Sequence, residues 1–447
     1  MYKSTFTIHE LIKITDGKFI GDIDTSIGLG ISTDTRTISS DDAYLALAGA
    51  VFDGHEFVKN AFEKGAKLAI VNENYVDIEE GQNYLIVKNT LEAYLKIAAF
   101  NRNRRSAKII GVTGSSGKTT TKEFLYSVFS SKFKTQKSIK NHNNEIGLCQ
   151  TLLSIEPDTK YCIVEMGMRA LGEIDLLAKY ARPDIALITN VGTAHIGILG
   201  SRENIAKAKC EITDYMTEND ILLAHNEVLI KNELLNKQKF KKVFYDLDEI
   251  EIVEKTENFS KIKYDNFVLE IPSSASYDIL NALASIKAAK LEKYTNEEIQ
   301  KGLLNFQNVE FRNEISTLKN GAIVISDCYN ANPDSAELSM KHISEAYKNK
   351  KIVIVFGDMF ELGEFEEEYH KKIGRIINEL NVNYFISVGK LAKITASEVL
   401  NVDKKSFETV EEAAEFLPQI IDKDTLVFLK ASRGMKFEKI LEIIRGK

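Results

Sequence analysis

Ile109-Ile110-Gly111-Val112-Thr113-Gly114-Ser115-Ser116-Gly117-Lys118-Thr119-Thr120-Thr121 is the stretch that decides the fold. A β-branched apolar run closes on a Gly-rich turn and then on residues that open a helix, so it reads as strand, turn, helix. Gly114 and Gly117 let successive backbone N–H groups converge on phosphate oxygens, and the helix N-terminus adds the positive end of its dipole. Lys118 reaches the β- and γ-phosphates, and the Thr119 hydroxyl suits Mg²⁺. Counting back from Gly117-Lys118-Thr119 puts Val112 where the common phosphate loop has its first glycine, with Gly111 one place earlier. The Thr-Gly-x-x-Gly-Lys-Thr-Thr form narrows the choice among ATP users. A turn that merely joined strand to helix would explain neither Lys118 nor the hydroxyl after it. A nucleoside triphosphate is therefore expected on Thr113, Gly114, Ser115, Ser116, Gly117, Lys118, Thr119 and Thr120.

Outward from this loop, short β-branched runs alternate with longer amphipathic stretches, the pattern of βαβ units around a mostly parallel sheet. Strands are expected over 108–113, 161–165, 184–189, 221–224, 322–326, 351–356, 384–388 and 425–429. Ligands of open α/β sheets lie beyond the carboxyl ends of the strands, so the turns there are where chemistry is sought. One such turn delivers Glu165, a carboxylate able to meet a cation, although a lone strand-end glutamate more often caps or pairs. Another holds His195 in Thr189-Asn190-Val191-Gly192-Thr193-Ala194-His195, for which a bland loop role competes with ligation. Residues 203–212 read as a helix bearing Lys209, whose ammonium cannot ligate a cation.

Residues 1 to about 100 read as a separate small α/β domain without a nucleotide motif. The polar, basic Asn101-Arg102-Asn103-Arg104-Arg105 reads as a linker. A second boundary is placed near 311–314, after an Ala- and Lys-rich helical stretch over 279–291. Three domains follow: 1–103, 104–311 and 312–447. This agrees with the two to four domains that 447 residues allow.

With 58 Lys+Arg against 65 Asp+Glu the net charge is -7, which argues against nucleic acid and anionic membranes as partners. No apolar run reaches spanning length and the N-terminus lacks a signal-peptide core, so a cytoplasmic protein without membrane insertion is expected. Cys149, Cys162, Cys210 and Cys328 form no Cys-x-x-Cys pair and read as reduced packing residues. Nothing suggests a coiled coil or a large apolar seam, and a monomer is expected.

The order of motifs along the whole chain resembles the Mur ligases. The resemblance rests on Ser32-Thr33-Asp34-Thr35-Arg36, Phe52-Asp53-Gly54-His55, the phosphate loop, Asn141-His142-Asn143-Asn144-Glu145-Ile146-Gly147, Glu165-Met166-Gly167, the run from Thr189 to His195, and Ala208-Lys209. It continues through Asp327-Cys328-Tyr329-Asn330-Ala331-Asn332-Pro333, Gly357-Asp358-Met359-Phe360-Glu361-Leu362-Gly363 and Lys430-Ala431-Ser432-Arg433-Gly434-Met435. Tyr329 to Pro333 looks like the mark of the branch that adds D-alanyl-D-alanine, and Asn143 to Gly147 points the same way. Without the family, Asn-Ala-Asn-Pro is only a turn signal.

The resemblance implies a small N-terminal α/β domain for the UDP end of the substrate, a central parallel-sheet ATPase domain and a Rossmann-like C-terminal domain for the incoming dipeptide. It implies an ATP-dependent ligase of cell-wall peptidoglycan synthesis, extending UDP-N-acetylmuramoyl-tripeptide by D-alanyl-D-alanine through an acyl phosphate. Lys118 would hold the γ-phosphate, Thr119 and Glu165 one Mg²⁺, and His195 with Lys209, as N6-carboxylysine, a second metal site. Asn281, Arg312, Asp327, Tyr329 and Asn330 would meet the nucleotide. Asn143, Asn144 and Asn332, with Ser32, Arg36, Asp53 and His55 in the first domain, would meet the other substrates. Ala275-Ser276-Tyr277 departs from the relatives' Gly-x-His, Ser326-Asp327 from their paired aspartates, and Lys430-Ala431-Ser432 from their Lys-Gly-Ser. Two rival readings are a sibling ligase of the same superfamily and an ATP-hydrolysing binding module with no acceptor. The stretch from Phe311 to Pro333 is the expected hinge.

Overall fold

The computed structural model describes residues 3–49, 52–237, 239–308 and 312–446. Phe311, where the hinge and the second boundary were expected to begin, lies outside them. The chain is α/β, as its sequence pattern requires. Strands β1 (Thr5–Thr7), β2 (Lys18–Ile20), β3 (Gly28–Ser32), β4 (Asp42–Leu45), β5 (Leu68–Asn72) and β6 (Tyr84–Val87) form a sheet of order β1-β3-β4-β5-β6-β2. Its inner strands run parallel, and β1 and β2 are antiparallel edges.

A second sheet has the order β12-β11-β10-β7-β9-β8, from β7 (Lys108–Thr113), β8 (Thr135–Lys137), β9 (Tyr161–Glu165), β10 (Ile185–Ile188), β11 (Ile221–His225) and β12 (Lys241–Tyr245). Interior strands of such sheets are covered on both faces, which is why β7, β9 and β10 are continuous apolar runs. Val112, the residue that displaces a glycine from the usual loop pattern, is a buried residue of β7.

An antiparallel sheet of β13 (Glu251–Lys255), β14 (Ser260–Tyr264) and β15 (Phe267–Ile271) was not anticipated. Its hairpin turns on Asp265 (φ 48°) and Asn266 (φ 60°), a two-residue turn with both φ positive, which Asp and Asn tolerate. The charged, wholly exposed β13 hides the alternation that marks a strand.

The last sheet, of order β16-β17-β21-β18-β19-β20, comprises β16 (Glu314–Thr317), β17 (Ile323–Asp327), β18 (Lys351–Gly357), β19 (Tyr384–Val388), β20 (Asp403–Phe407) and β21 (Thr425–Lys430). All its pairings are parallel except β16 with β17. Val324, Val355, Ile386, Val427 and Leu429 from its strands pack in one core with Ala413, Leu417 and Ile440 from helices and with Phe437 from the turn before the last helix.

By packing the chain divides into two compact units, one of residues 1–111, 133–166 and 176–184, the other of 112–132, 167–175 and 185–447. The expected linker at 101–105 is corrected. It is the end of the helix Thr90–Asn103 and is tied down within the first unit. Asn101 is buried and donates to the Leu152 carbonyl (2.7 Å), Arg102 donates to the carbonyls of Ala181 and Arg182, and Arg104 donates to that of Thr5. Basic residues suggested solvent; here they satisfy carbonyls at element ends instead. No helix among the described residues is long and apolar enough to cross a membrane.

Candidate functional site

In the second unit the phosphate loop is held from two sides. Gly114 (φ 154°) lies so close to the loop after β10 that a Cβ there would stand 1.8 Å from the Thr189 hydroxyl, and one on Gly117 (φ 77°) would meet Asn281 at 2.6 Å. Only glycine fits either position. The Ser115 N–H donates to the Asn190 carbonyl (3.1 Å) and the Ser116 N–H to Asn190 Oδ1 (3.0 Å), while Thr189 Oγ1 donates to the Ser116 carbonyl (2.6 Å). Lys118 Nζ reaches back to the Gly114 carbonyl at 2.7 Å. The helix Lys118–Ser130 starts on Gly117 without a side-chain cap, so the N–H groups of its first turn are left for an anion. Thr120 is half-buried in that first turn. The buried Thr113 hydroxyl has no partner among the described residues. Asn281, from the helix Ser276–Leu291, accepts from the Thr121 hydroxyl (3.1 Å) and so braces that helix from behind.

Lys209 is 2% exposed, near the end of the helix Arg202–Cys210. Burial first, then the charge of Lys118, pushes its amine well below the usual lysine range. The ordinary reading of a solvated helix lysine is overturned. This is a desolvated amine whose charged form burial disfavours. His195 adopts a left-handed backbone (φ 64°), and its buried Nδ1 stands 2.8 Å from Glu361 Oε2, near enough for an ion pair but off the line of a hydrogen bond. The Glu361 carboxyl is held below its usual range by His195 first, with Arg169 and Lys118 adding to it.

Arg312 Nη2 donates to the Thr119 hydroxyl (3.3 Å) while its guanidinium lies 4.3 Å over the Tyr329 ring. Asp327 and Lys430 are register partners on β17 and β21, and Lys430 Nζ donates to Asp327 Oδ2 at 2.5 Å. Asn330 is exposed and Asn332 caps the helix Pro333–Ala346, its Oδ1 accepting from the Ser335 N–H. The next residue but one, Asp334, takes both the N–H and the hydroxyl of Thr193 on one oxygen, each at 2.6 Å.

In the first unit Glu165, 2% exposed, accepts from Asn143 Nδ2 (3.1 Å), and Asn144 caps the helix Glu145–Leu153. The Ser32 hydroxyl donates to the Asp34 carbonyl, and Asp34 forms an exposed ion pair with Arg36 that lowers its carboxyl to about 2. Asp53 Oδ1 accepts from the His55 N–H (3.0 Å) and lies 2.6 Å from His55 Nδ1, while His55 Nε2 accepts from the Asn72 N–H (3.0 Å). A backbone N–H can only donate, so Nε2 is unprotonated and the proton sits on Nδ1. His55 is thus a strut between the turn at 53–57 and the end of β5.

Among the described residues no three His, Cys, Asp or Glu side chains gather into a metal cage. Mg²⁺ takes oxygen donors, and the Thr119 hydroxyl in the second unit and the buried Glu165 carboxylate in the first are each, taken singly, groups of that type.

Three family descriptions match the chain: "Mur ligase family, catalytic domain" over 29–102, "Mur ligase middle domain" over 112–289 and "Mur ligase, glutamate ligase domain" over 311–433. A Bacillus subtilis protein named UDP-N-acetylmuramoyl-tripeptide--D-alanyl-D-alanine ligase is 34% identical over 424 residues, spanning 92% of each chain. The chain belongs to the Mur ligase family. Among solved Mur ligases, a MurF from Acinetobacter baumannii superposes with TM-score 0.92 at 29% identity over 100% of both chains. A MurF from Thermotoga maritima, solved with ADP, superposes with TM-score 0.80 at 26% identity over 93% of this chain and 97% of that one.

For a Mur ligase, the second unit gathers the phosphate loop, Asn281, Arg312 and Tyr329, together with Lys118, Lys209, His195 and Glu361. Sequence reasoning gave no role to Glu361, Asp334, Lys430 or Asp278, although the first three lie in or beside the motifs that carry the family resemblance. Only chain contacts reveal what they meet.

Proposed function

We propose that this chain is the ligase that joins D-alanyl-D-alanine to UDP-N-acetylmuramoyl-tripeptide with hydrolysis of ATP, in peptidoglycan synthesis. The end-to-end match with relatives of that name is the observation that carries it. A carboxylate at neutral pH does not condense with an amine. In the first step a terminal carboxylate oxygen of the tripeptide attacks the γ-phosphorus, the bond to the bridging oxygen breaks, and ADP leaves with the electron pair. In the second, the dipeptide nitrogen attacks the acyl carbon, phosphate leaves, and the amine proton is lost to solvent. No protein nucleophile is needed.

Lys118 exchanges its bond to the Gly114 carbonyl for phosphate oxygens, and the first-turn N–H groups of its helix fix the phosphates in place. Preorganised charge of this kind lowers the barrier to phosphoryl transfer more than any other single effect. Arg312 and Tyr329 present a flat cation and ring to the nucleotide beside Thr119. Thr119 would offer an oxygen to Mg²⁺, as would Glu165 in the first unit, and His195 with Lys209, as its carbamate, would supply a second set of donors. The chemistry that Mg²⁺ would supply there is neutralisation of charge on the transferring phosphoryl group. Lys209 suits carbamylation: its neutral Nζ adds to CO₂, forming an N–C bond and losing a proton, to give a carboxylate on a long arm. Isotopically labelled bicarbonate and carbon NMR test that step; no carbamate signal in the wild type, or the same signal in Lys209→Met, sinks it.

The proposal extends to where each substrate binds. Residues 1–103 would hold the UDP end through Ser32, Arg36, Asp53 and His55. Residues 104–311 would hold ATP, with Asn143 and Asn144 toward the tripeptide. Residues 312–447 would hold the dipeptide, with Asp327, Asn330 and Asn332 at that end. Buried free cysteines suit a reducing cytoplasm, and a monomer is part of the same proposal.

The deciding assay follows phosphate release with ATP, Mg²⁺ and UDP-MurNAc-tripeptide, adding D-alanyl-D-alanine or D-alanine, with the amide product read by mass. Product only with the dipeptide, lost in Lys118→Ala, is expected. Phosphate release indifferent to any acceptor would leave an ATPase instead.

A further inference from the structure

Neither step of the ligase reaction uses the segment Gly357-Asp358-Met359-Phe360-Glu361-Leu362-Gly363. Asp358 explains itself structurally: its carboxylate accepts the Ala392 N–H (2.7 Å) at the start of the helix Ala392–Glu398, closing that helix end to any other anion. Glu361 has no such local task. Its carboxylate turns to the Nδ1 of His195, and that buried ring nitrogen has no other partner among the described residues. Its carbonyl accepts from the Gly197 N–H (3.2 Å). The two backbones all but touch: a Cβ on Gly197 would lie 2.5 Å from the Gly363 nitrogen, and one on Gly363 2.8 Å from the Gly197 Cα.

Both His195 (φ 64°) and Glu361 (φ 66°) are left-handed, a conformation costing a residue with a side chain about 1 kcal/mol or more. Strain on both sides of one contact persists only where the surroundings impose it. A chance surface ion pair would require neither strained backbone. In the same loop, ahead of His195, Thr193 is seized by Asp334. The loop that borders the phosphate site is thus gripped at two points by chain that follows residue 312.

We propose that Glu361 is a positioning residue for phosphoryl transfer: by taking Nδ1 of His195 it sets the ring, leaving Nε2 for the reacting phosphates and their cation, once the 357–363 segment is docked. The inference rests on the ligase reading. It makes the acceptor-binding part of the chain complete the ATP site, so that the acyl phosphate forms fast only where its acceptor can follow. The off-line approach of the two groups fits a contact that tightens in the substrate complex. Partners that orient an active-site imidazole are worth roughly 10–100-fold.

The test compares the full-length wild type with Glu361→Gln, which keeps the shape and removes the charge, and Glu361→Asp, which keeps the charge. Steady-state kinetics are joined to calorimetric binding of a non-hydrolysable ATP analogue and to melting temperature. For Glu361→Gln, kcat is expected to fall roughly 10–100-fold, with KM for the dipeptide and analogue affinity changed by less than about threefold and melting unchanged. Glu361→Asp recovers part of the loss. The proposal is overturned if kcat of Glu361→Gln stays within about twofold of wild type. It is equally overturned if the variant's loss merely tracks a lower melting temperature, or if analogue binding tightens about tenfold while kcat holds, since Glu361 would then be only a counter-ion to Lys118. A wild type that releases phosphate without amide product removes the ligase reading instead, and phosphate release in the variants still decides the role of Glu361.

Discussion

Asp278 is bonded by the Ser273 hydroxyl at 2.8 Å, and burial raises its carboxyl from 3.8 to about 6. The nearby Asp327 charge adds to the rise, while Ser273, Arg312 and Asn281 oppose it. A folded-state value above the unfolded one means that the native state binds more protons between about 4 and 6, so stability falls as pH rises through that window. The cost is fully present above about 6. Asp278→Asn is therefore expected to stabilise the chain by about 1–3 kcal/mol near neutral pH, toward the lower end because the group is partly open to solvent, with the gain fading toward pH 4. Urea titrations at several pH values check this; a gain that does not depend on pH contradicts it. The Asp327–Lys430 pair is a second residue-scale case, with side chains only 13% and 3% exposed. Lys430→Met leaves a carboxylate uncompensated and is expected to cost about 3–5 kcal/mol, most of it regained when Asp327→Leu is added. A double-mutant cycle that proves additive would deny the coupling.

Elements meet tightly where the loop after β10 passes the 361–363 turn. Gly197→Ala forces a methyl group against the Gly363 backbone nitrogen, which cannot rotate away as a side chain could. The loop must retreat, taking His195 with it. Product formation is expected to drop about tenfold or more while the ATP analogue still binds, because the phosphate loop itself is held by Asn190 and Asn281 rather than by this contact. Unchanged turnover would mean that the close approach has no part in the reaction. Loss of nucleotide binding would mean that the two loops are not independent.

Over the whole chain, substrates should register in the unit that holds their residues. Bound ATP analogue is expected to slow amide hydrogen exchange at 113–121, at 189–197 and around 312–334, since Arg312, Asp334 and Glu361 link these segments within the second unit. A UDP-linked substrate is expected to protect 32–36 and 52–57 in the first. Exchange slowed by the nucleotide at 32–57 but not at 113–121 would reverse the assignment of the two ends.

What the sequence by itself determined is local. A strand followed by Gly114 to Thr121 specifies a phosphate cradle because its chemistry comes from consecutive residues, and short β-branched runs between amphipathic stretches marked most strands of the two sheets that follow residue 107 and are mainly parallel. The Asp265-Asn266 turn was equally legible but was masked by the charged, exposed β13. The basic run at 101–105 misled because charge alone does not tell a solvated linker from a helix end whose arginines satisfy carbonyls. Only the tertiary structure decided that Lys209 is buried, that His55 is a strut and that Glu361 faces His195. Burial and partnership join residues far apart in the chain, and no local pattern encodes the desolvation that sets Lys209 apart from an ordinary helix lysine.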